Sequence, residues 1–199
     1  RIFMKKLIII ILIIAYPIKN FGQVKYDYNQ GYIFIKKAEK TLNQGKIIEA
    51  EEFLGKAKLS NFGFCGNAWA SAFGQINLIQ TQVYIKRKEY DKALNLLDSI
   101  GGCGIGADCT ARDSLKIETL MLKFGKQKVK EAFEKVNEIN VNEIDFIKSY
   151  SINLPDLNYI FEFVINEYYF DFNDGKSVVK NKTNIELLNE VKNFSYFKI

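Results

Sequence analysis

Three stretches of the chain place apolar residues three and four positions apart. The first set is Ile47, Ala50, Leu54 and Ala57, the second is Tyr90, Ala93, Leu97 and Ile100, and the third is Val129, Ala132, Val136 and Ile139. This spacing puts apolar side chains on one face of an α-helix and polar side chains on the other. The sequence therefore predicts three amphipathic helices and, because the pattern recurs, a repeated unit.

Each of these helices follows another segment with helical periodicity. The preceding segments span 32–43, 68–86 and 110–124. A short polar stretch separates the two helices of each pair, with Gly45 in the first pair, Arg87 and Lys88 in the second and Gly125 in the third. Such short stretches end one helix and reverse the chain. The predicted unit is an antiparallel helix hairpin that occurs three times.

The recurring alanines resemble those of a known repeat. Ala50, Ala93 and Ala132 each follow a larger apolar residue by three positions, in the place of the second-helix alanine of tetratricopeptide repeats. Residues 30–140 are therefore similar to that family, whose helix pairs recur about every 34 residues. Here Ala93 follows Ala50 by 43 residues and Ala132 follows Ala93 by 39. The resemblance implies a mainly α fold in which residues 23–140 form stacked antiparallel hairpins, a tetratricopeptide-like α-solenoid.

A polar stripe on the first helix of the second hairpin is the predicted binding surface. In tetratricopeptide-like stacks the first helices line the concave groove that receives ligands. The resemblance therefore implies that a protein or peptide partner contacts this stripe, and the alternative is a solvated helix face. The groove candidates are Asn77, Gln80, Thr81 and Tyr84.

Aromatic residues gather before and inside the same helix. They are Phe62, Phe64, Trp69 and Phe73. An exposed patch of this kind would grip a peptide or a glycan, but large aromatic residues more often fill the space between packed helices. We expect them to belong to the core.

The pattern changes in the C-terminal segment, residues 141–199. Aromatic and β-branched residues are frequent up to residue 172, and Asn173-Asp174-Gly175 is typical of a hairpin turn. One interpretation places strands at 159–165, 168–172 and 177–180, with a first tight turn at Asn166-Glu167. The other starts a helix at Pro155. We favour the strands because the composition suits a sheet.

A short helix is predicted to follow these strands. Thr183 and Glu186 match a capping box that precedes Leu187, Leu188 and Val191. The C-terminal segment is thus expected to be a small α+β unit. Its apolar end at Ile199 fits a domain that continues beyond this sequence.

The first 22 residues carry an apolar run of another kind. Lys5 and Lys6 precede residues 7–15, which have apolar side chains throughout, and Gly22 ends the segment. A basic start, an apolar core of about 7–15 residues and a small residue at the cleavage site are typical of secretory signal peptides. A membrane-spanning helix needs about 20 apolar residues. We predict that residues 1–22 are a signal peptide with a few upstream residues.

The predicted signal peptide determines where the protein is expected and what net charge remains after cleavage. The protein is expected in the periplasm, on the outer surface or in the medium of a Gram-negative-type bacterium, with no stable membrane anchor after cleavage. Removing four basic residues lowers the Lys and Arg count from 28 to 24, against 23 acidic residues, so the net charge falls from +5 to +1. A nearly neutral chain lacks the basic surface of a nucleic-acid-binding protein.

The three cysteines are candidates for disulfide formation. Cys65, Cys103 and Cys109 lie in glycine-containing stretches between hairpins, and export favours oxidation. Cys65 could pair with either of the others, or Cys103 and Cys109 could pair across their own loop, since a bridge needs Cα atoms about 4.4–6.8 Å apart. A metal site is disfavoured because Asp108 is the only nearby acid.

The composition of the chain also excludes several kinds of catalysis and ligand binding. The chain contains no histidine, which excludes Ser-His-Asp and Cys-His catalysis and imidazole ligands. The nucleotide-binding glycine motifs are absent too. We therefore predict a non-enzymatic scaffold without a cofactor, bound to a protein or peptide. The alternatives are the N-terminal docking module of a larger periplasmic or surface enzyme and, less favoured, an immunity-like inhibitor.

Overall fold

The computed structural model describes residues 25–100, 109–144, 147–164, 168–171, 176–179 and 183–194. The predicted signal peptide and the glycine-rich loop 101–108 lie outside them. Within these ranges, six helices precede the strands: α1 (Tyr28–Asn43), α2 (Ile47–Lys58), α3 (Gly66–Lys86), α4 (Tyr90–Ser99), α5 (Cys109–Phe124) and α6 (Lys126–Glu134). The predicted mainly helical fold is therefore confirmed. No helix of the described ranges has the length and apolar character that crossing a membrane requires.

The turns inside the helix pairs lie where the sequence predicts them. Gly45 between α1 and α2 has φ +77°, and Gly125 between α5 and α6 has φ +91°. Glycine adopts this left-handed conformation without a steric penalty. Lys88 between α3 and α4 takes φ +60°, which is uncommon for a residue with a side chain. Each pair of helices packs together along the chain, α1 on α2, α3 on α4 and α5 on α6.

The predicted helix faces are buried, and one helix is shorter than predicted. Ala50 and Ala93 are fully buried, as expected where two helices pack closely. However, α6 ends at Glu134, so Val136 and Ile139 do not extend it. Val136 is still buried, in the segment that connects α6 to the first strand. Its burial explains why the helical period continues in the sequence beyond the end of the helix.

A three-stranded antiparallel sheet follows the helices. Its strands are β1 (Asn140–Ile144), β2 (Ile147–Leu154) and β3 (Tyr159–Val164), in the order β1-β2-β3. The register places Ser151 opposite both Asn140 and Glu162. Between β2 and β3 the chain forms a single 3₁₀ turn, Pro155–Leu157. The interpretation that starts a helix at Pro155 is therefore wrong. The interpretation that places a strand at 159–165 is confirmed by β3.

A separate hairpin and a last helix complete the described chain. β4 (Tyr168–Asp171) pairs antiparallel with β5 (Lys176–Val179) in a sheet of their own. The strands predicted at 159–165, 168–172 and 177–180 are confirmed as β3, β4 and β5 to within one residue. The tight turn predicted at Asn166-Glu167 lies outside the described residues, and β3 and β4 belong to different sheets. The helix α7 (Asn184–Lys192) begins with the predicted capping box between Thr183 and Glu186.

Two hydrophobic cores organise the described residues. The first lies within α1, α2 and α3 and the loop before α3, with Leu42, Leu54 and Ile76 among its buried members. The second joins α4, α5 and α6 to the three-stranded sheet and α7, with Ile117, Phe133 and Phe161 at its centre. The C-terminal sheet and the third helix pair thus share one core.

Candidate functional site

The predicted groove residues on α3 occupy different environments. Thr81 is fully buried, and its hydroxyl donates a hydrogen bond of 2.9 Å to the Asn77 carbonyl oxygen. Thr81 therefore belongs to the core and lines no groove, because its hydroxyl bonds to its own helix. Asn77, Gln80 and Tyr84 are half-buried. Gln80 accepts a hydrogen bond of 3.3 Å from Lys58 on α2, which directs it toward the neighbouring helix.

A cavity of about 290 Å³ lies beside this stripe, between α3 and α5. Its lining residues are Leu78 and Gln82 of α3 and Ala111, Ser114, Leu115 and Glu118 of α5. We call this cavity the α3–α5 groove. Leu78 and Gln82 each lie one position after a predicted residue, and one position is a rotation of about 100° around a helix. The predicted groove residues therefore lie on α3 beside this cavity and do not line it.

The groove combines apolar walls with polar groups at its opening. Leu78 is half-buried, Leu115 is buried, and both Gln82 and Glu118 are exposed. On α5 the lining residues Ala111, Leu115 and Glu118 recur at steps of four and three, so they share one helix face. That spacing was present in the sequence and is the signal that could have identified the groove.

A second, wider hollow of about 690 Å³ lies at the turns between paired helices. It is lined by Gly45, Lys46, Ile47, Ile48, Glu49, Glu52 and Arg87. Several of its charges already have partners: Lys46 is 3.7 Å from Glu49, and Arg87 pairs with Glu51. Because a ligand would have to compete with these ion pairs, the α3–α5 groove is the better candidate for binding.

Two buried charged residues near the start of α5 pair with each other, and one of them also bonds to the residue that follows α4. Arg112 donates through Nε to Oδ1 of Asp113 at 2.8 Å and through Nη1 to the Ile100 carbonyl oxygen at 2.9 Å. Both side chains are buried, Asp113 completely. Burial raises the pKa of the Asp113 carboxyl, and the Arg112 charge opposes that shift. Sequence analysis missed this pair, since adjacent charged residues usually mark a solvated face.

A second buried charge lies one turn further along α5. Lys116 Nζ is 2.8 Å from Oδ1 of Asp98 on α4 and donates to the Glu162 carbonyl oxygen at 3.0 Å. The Tyr159 hydroxyl donates to the same Asp98 oxygen at 2.8 Å. Burial and the neighbouring Asp98 charge raise the pKa of Tyr159. We call the buried residues Arg112, Asp113 and Lys116, together with the exposed Asp98 and the half-buried Tyr159 that bond around Lys116, the buried charged cluster.

The buried charged cluster also bonds to the β3 edge of the sheet. β3 is the last strand of its sheet, so one row of its backbone groups faces away from β2. Asp113 Oδ2 accepts a hydrogen bond of 3.3 Å from the Val164 amide, and Lys116 donates to the Glu162 carbonyl oxygen. Covering an edge strand prevents it from pairing with another chain. The cluster thus fixes α5, one wall of the groove, against the sheet.

The aromatic residues before α3 are mostly core, with one exception. Phe62 is fully buried and packs edge-on against Trp69, whose ring N–H donates to the Gly63 carbonyl oxygen at 2.7 Å. Phe73 stacks on Trp69. Phe64, in contrast, is completely exposed, so its assignment to the core is wrong. The chain turns at Gly63, which has φ +89°, and Phe64 follows on the solvent side.

The structure gives different information for each of the three cysteines. Cys65 is a free, exposed thiol, so the arrangement that bridges Cys65 to the glycine-rich loop is not found. Cys103 and Asp108 lie outside the described residues, so the pairing of Cys103 with Cys109 stays a prediction. In the ranges that the structure describes, no three acidic or cysteine side chains come together as metal ligands.

The fold defines a mainly helical protein with a small antiparallel sheet near its C-terminus. Compared with protein-family models, curated proteins and solved structures, the chain matches none.

Proposed function

We propose that this protein is an exported, non-enzymatic helical-repeat scaffold that binds a protein or peptide partner in the α3–α5 groove. The observation that carries the proposal is the cavity of about 290 Å³ between the first helices of the second and third helix pairs. In a tetratricopeptide-like stack those helices line the concave surface. Apolar walls with a few polar groups are typical of ligand sites.

The surroundings of the groove support a binding role. α5 is held by the buried charged cluster and by the core that it shares with the sheet, so one wall of the groove is fixed before a partner arrives. A wall that is already ordered loses less conformational entropy when a partner binds. The absence of histidine from the chain supports a non-enzymatic role, because the commonest acid–base residue is missing.

The proposal is tested by selecting peptides on the folded protein. A phage-displayed library of random 12-residue peptides is panned on residues 23–199, and the selected peptides are titrated by fluorescence anisotropy. Gln82→Trp places a large side chain at the exposed opening of the groove and is expected to weaken binding about tenfold or more. Gln127→Trp, at an exposed position of α6, is the matched control and should bind like the parent.

Two results would overturn the proposal. One is a selection that enriches no peptide above the uncoated support. The other is a set of peptides that bind the parent and the Gln82→Trp variant equally, which would place the binding surface elsewhere. Circular dichroism spectra and melting curves of both variants show whether each one folds.

A further inference from the structure

The α3–α5 groove carries one formal charge. Of the described residues that line it, Glu118 alone is charged, and its side chain is exposed. None of the ion pairs found in the described ranges includes Glu118. The carboxylate is therefore available to a charged group of opposite sign on whatever occupies the groove.

Apolar side chains lie on both sides of this carboxylate along α5. Leu115 lies three residues before Glu118 in the groove wall, and Leu122 lies four residues after it with 48% of its surface exposed. Residues at these steps share one helix face. The face thus presents an apolar, an acidic and again an apolar side chain in successive turns. Leu78 of α3 faces the same cavity.

We propose, resting on the function proposed above, that the occupant is a segment of a partner protein that places an apolar side chain beside a lysine or arginine. The apolar side chain enters between Leu78 and Leu115, where it leaves water. The basic side chain reaches the Glu118 carboxylate at the opening. A cavity of about 290 Å³ is near the lower end of ligand pockets, about 300–1,000 Å³, so it suits side chains of a segment.

Charge complementarity at an interface mainly sets which partner is accepted. The phage selection therefore tests the inference directly, because it shows which residues are enriched next to the apolar residue of the selected peptides. On the parent protein we expect lysine and arginine there. On the Glu118→Lys variant we expect aspartate and glutamate instead, and peptides selected on the parent should bind that variant about tenfold more weakly.

The matched control is Glu134→Lys, which makes the same change of charge at an exposed residue of α6. This variant should select the same basic peptides as the parent and bind them within about twofold. Because Glu118 and Glu134 are both exposed, neither substitution removes a buried contact, and melting curves confirm that both variants fold.

The outcomes separate this inference from the proposed function. Enriched peptides without a basic preference, or with the same preference on the Glu118→Lys variant, overturn the inference and leave the groove as a peptide site. A parent protein that elutes as a dimer, and as a monomer after Glu118→Lys, shows that a second copy occupies the groove and also overturns it. Failure to enrich any peptide overturns the proposed function itself.

Discussion

At the scale of single residues, the structure depends on a few positions where space or charge leaves little choice. Gly31 of α1 faces the loop before α3, and a Cβ atom there would lie 2.7 Å from the Phe62 ring and 2.8 Å from Ser60 Cβ. Phe62 is itself fully buried among Tyr32, Trp69 and Phe73. The close approach explains why the first turn of α1 contains a glycine, although glycine is usually unfavourable within a helix.

Gly31→Ala should therefore destabilise the protein, by about 1–3 kcal/mol, because a buried aromatic ring has to move. Gly55→Ala is the matched control within α2, where an added Cβ meets no atom within 4 Å. This second substitution should stabilise the protein by about 0.5–1 kcal/mol through helix propensity. The midpoint of urea unfolding measures both changes. Equal shifts in the same direction would contradict the packing described for Gly31.

Because of Tyr159, the stability of the folded protein is expected to fall at alkaline pH. Burial and Asp98 raise the pKa of its hydroxyl in the folded state above the ordinary value of 10.0. The protonated phenol is thus favoured by folding, so its contribution is complete below about pH 10 and falls as the pH rises above that value, by up to about 1.4 kcal/mol per pH unit. Between pH 9 and 11.5, the parent should lose more stability than Tyr159→Phe. Parallel urea midpoints would contradict this.

At the scale of elements, the helices followed from periodicity, whereas the strand pairing did not. The predicted first and second helices correspond to α1–α6, because apolar steps of three and four residues need no knowledge of distant contacts. β1 and β2 were missed, so the sequence did not indicate β2 as the partner of β3. Strand partners depend on which segments meet in space, and the pattern of a single strand does not contain that information.

The buried charged cluster was missed for a related reason. Arg112, Asp113 and Lys116 look in sequence like the exposed part of a helix. Lys116 pairs with Asp98 on α4, and Lys116 and Asp113 bond to backbone groups of β3 that lie 46 and 51 residues after them. The sequence therefore indicated α3 as a wall of the groove, but not the buried charges that hold α5.

Asp113→Asn tests the cluster at this scale. The substitution leaves the Arg112 charge buried without its carboxylate, and breaking such a pair costs about 3–5 kcal/mol. Asp91→Asn is the matched control, since Asp91 pairs with Lys123 and its side chain is 78% exposed; its loss should cost less than about 1 kcal/mol. Urea unfolding measures both. A small effect of Asp113→Asn would mean that the cluster does not hold α5 against the sheet.

At the scale of the whole molecule, α4 connects the two cores of the described chain, because it packs on both α3 and α5. α3 contributes to the core of α1 and α2, whereas α5 belongs to the core that includes the sheet and α7. The α3–α5 groove lies where these two packed units meet, and pockets are common at such boundaries. Both units thus have to be folded for the groove to exist.

Hydrogen exchange of the protein with and without a selected 12-residue peptide tests the central claim most directly. We expect slower amide exchange in α3 around 78–82 and in α5 around 111–118, because a bound segment reduces local opening of both walls. The backbone of α2, which lies outside the cavity lining, should exchange as before. Protection confined to the hollow at 45–52, or spread evenly over all helices, would contradict a partner-binding groove between α3 and α5.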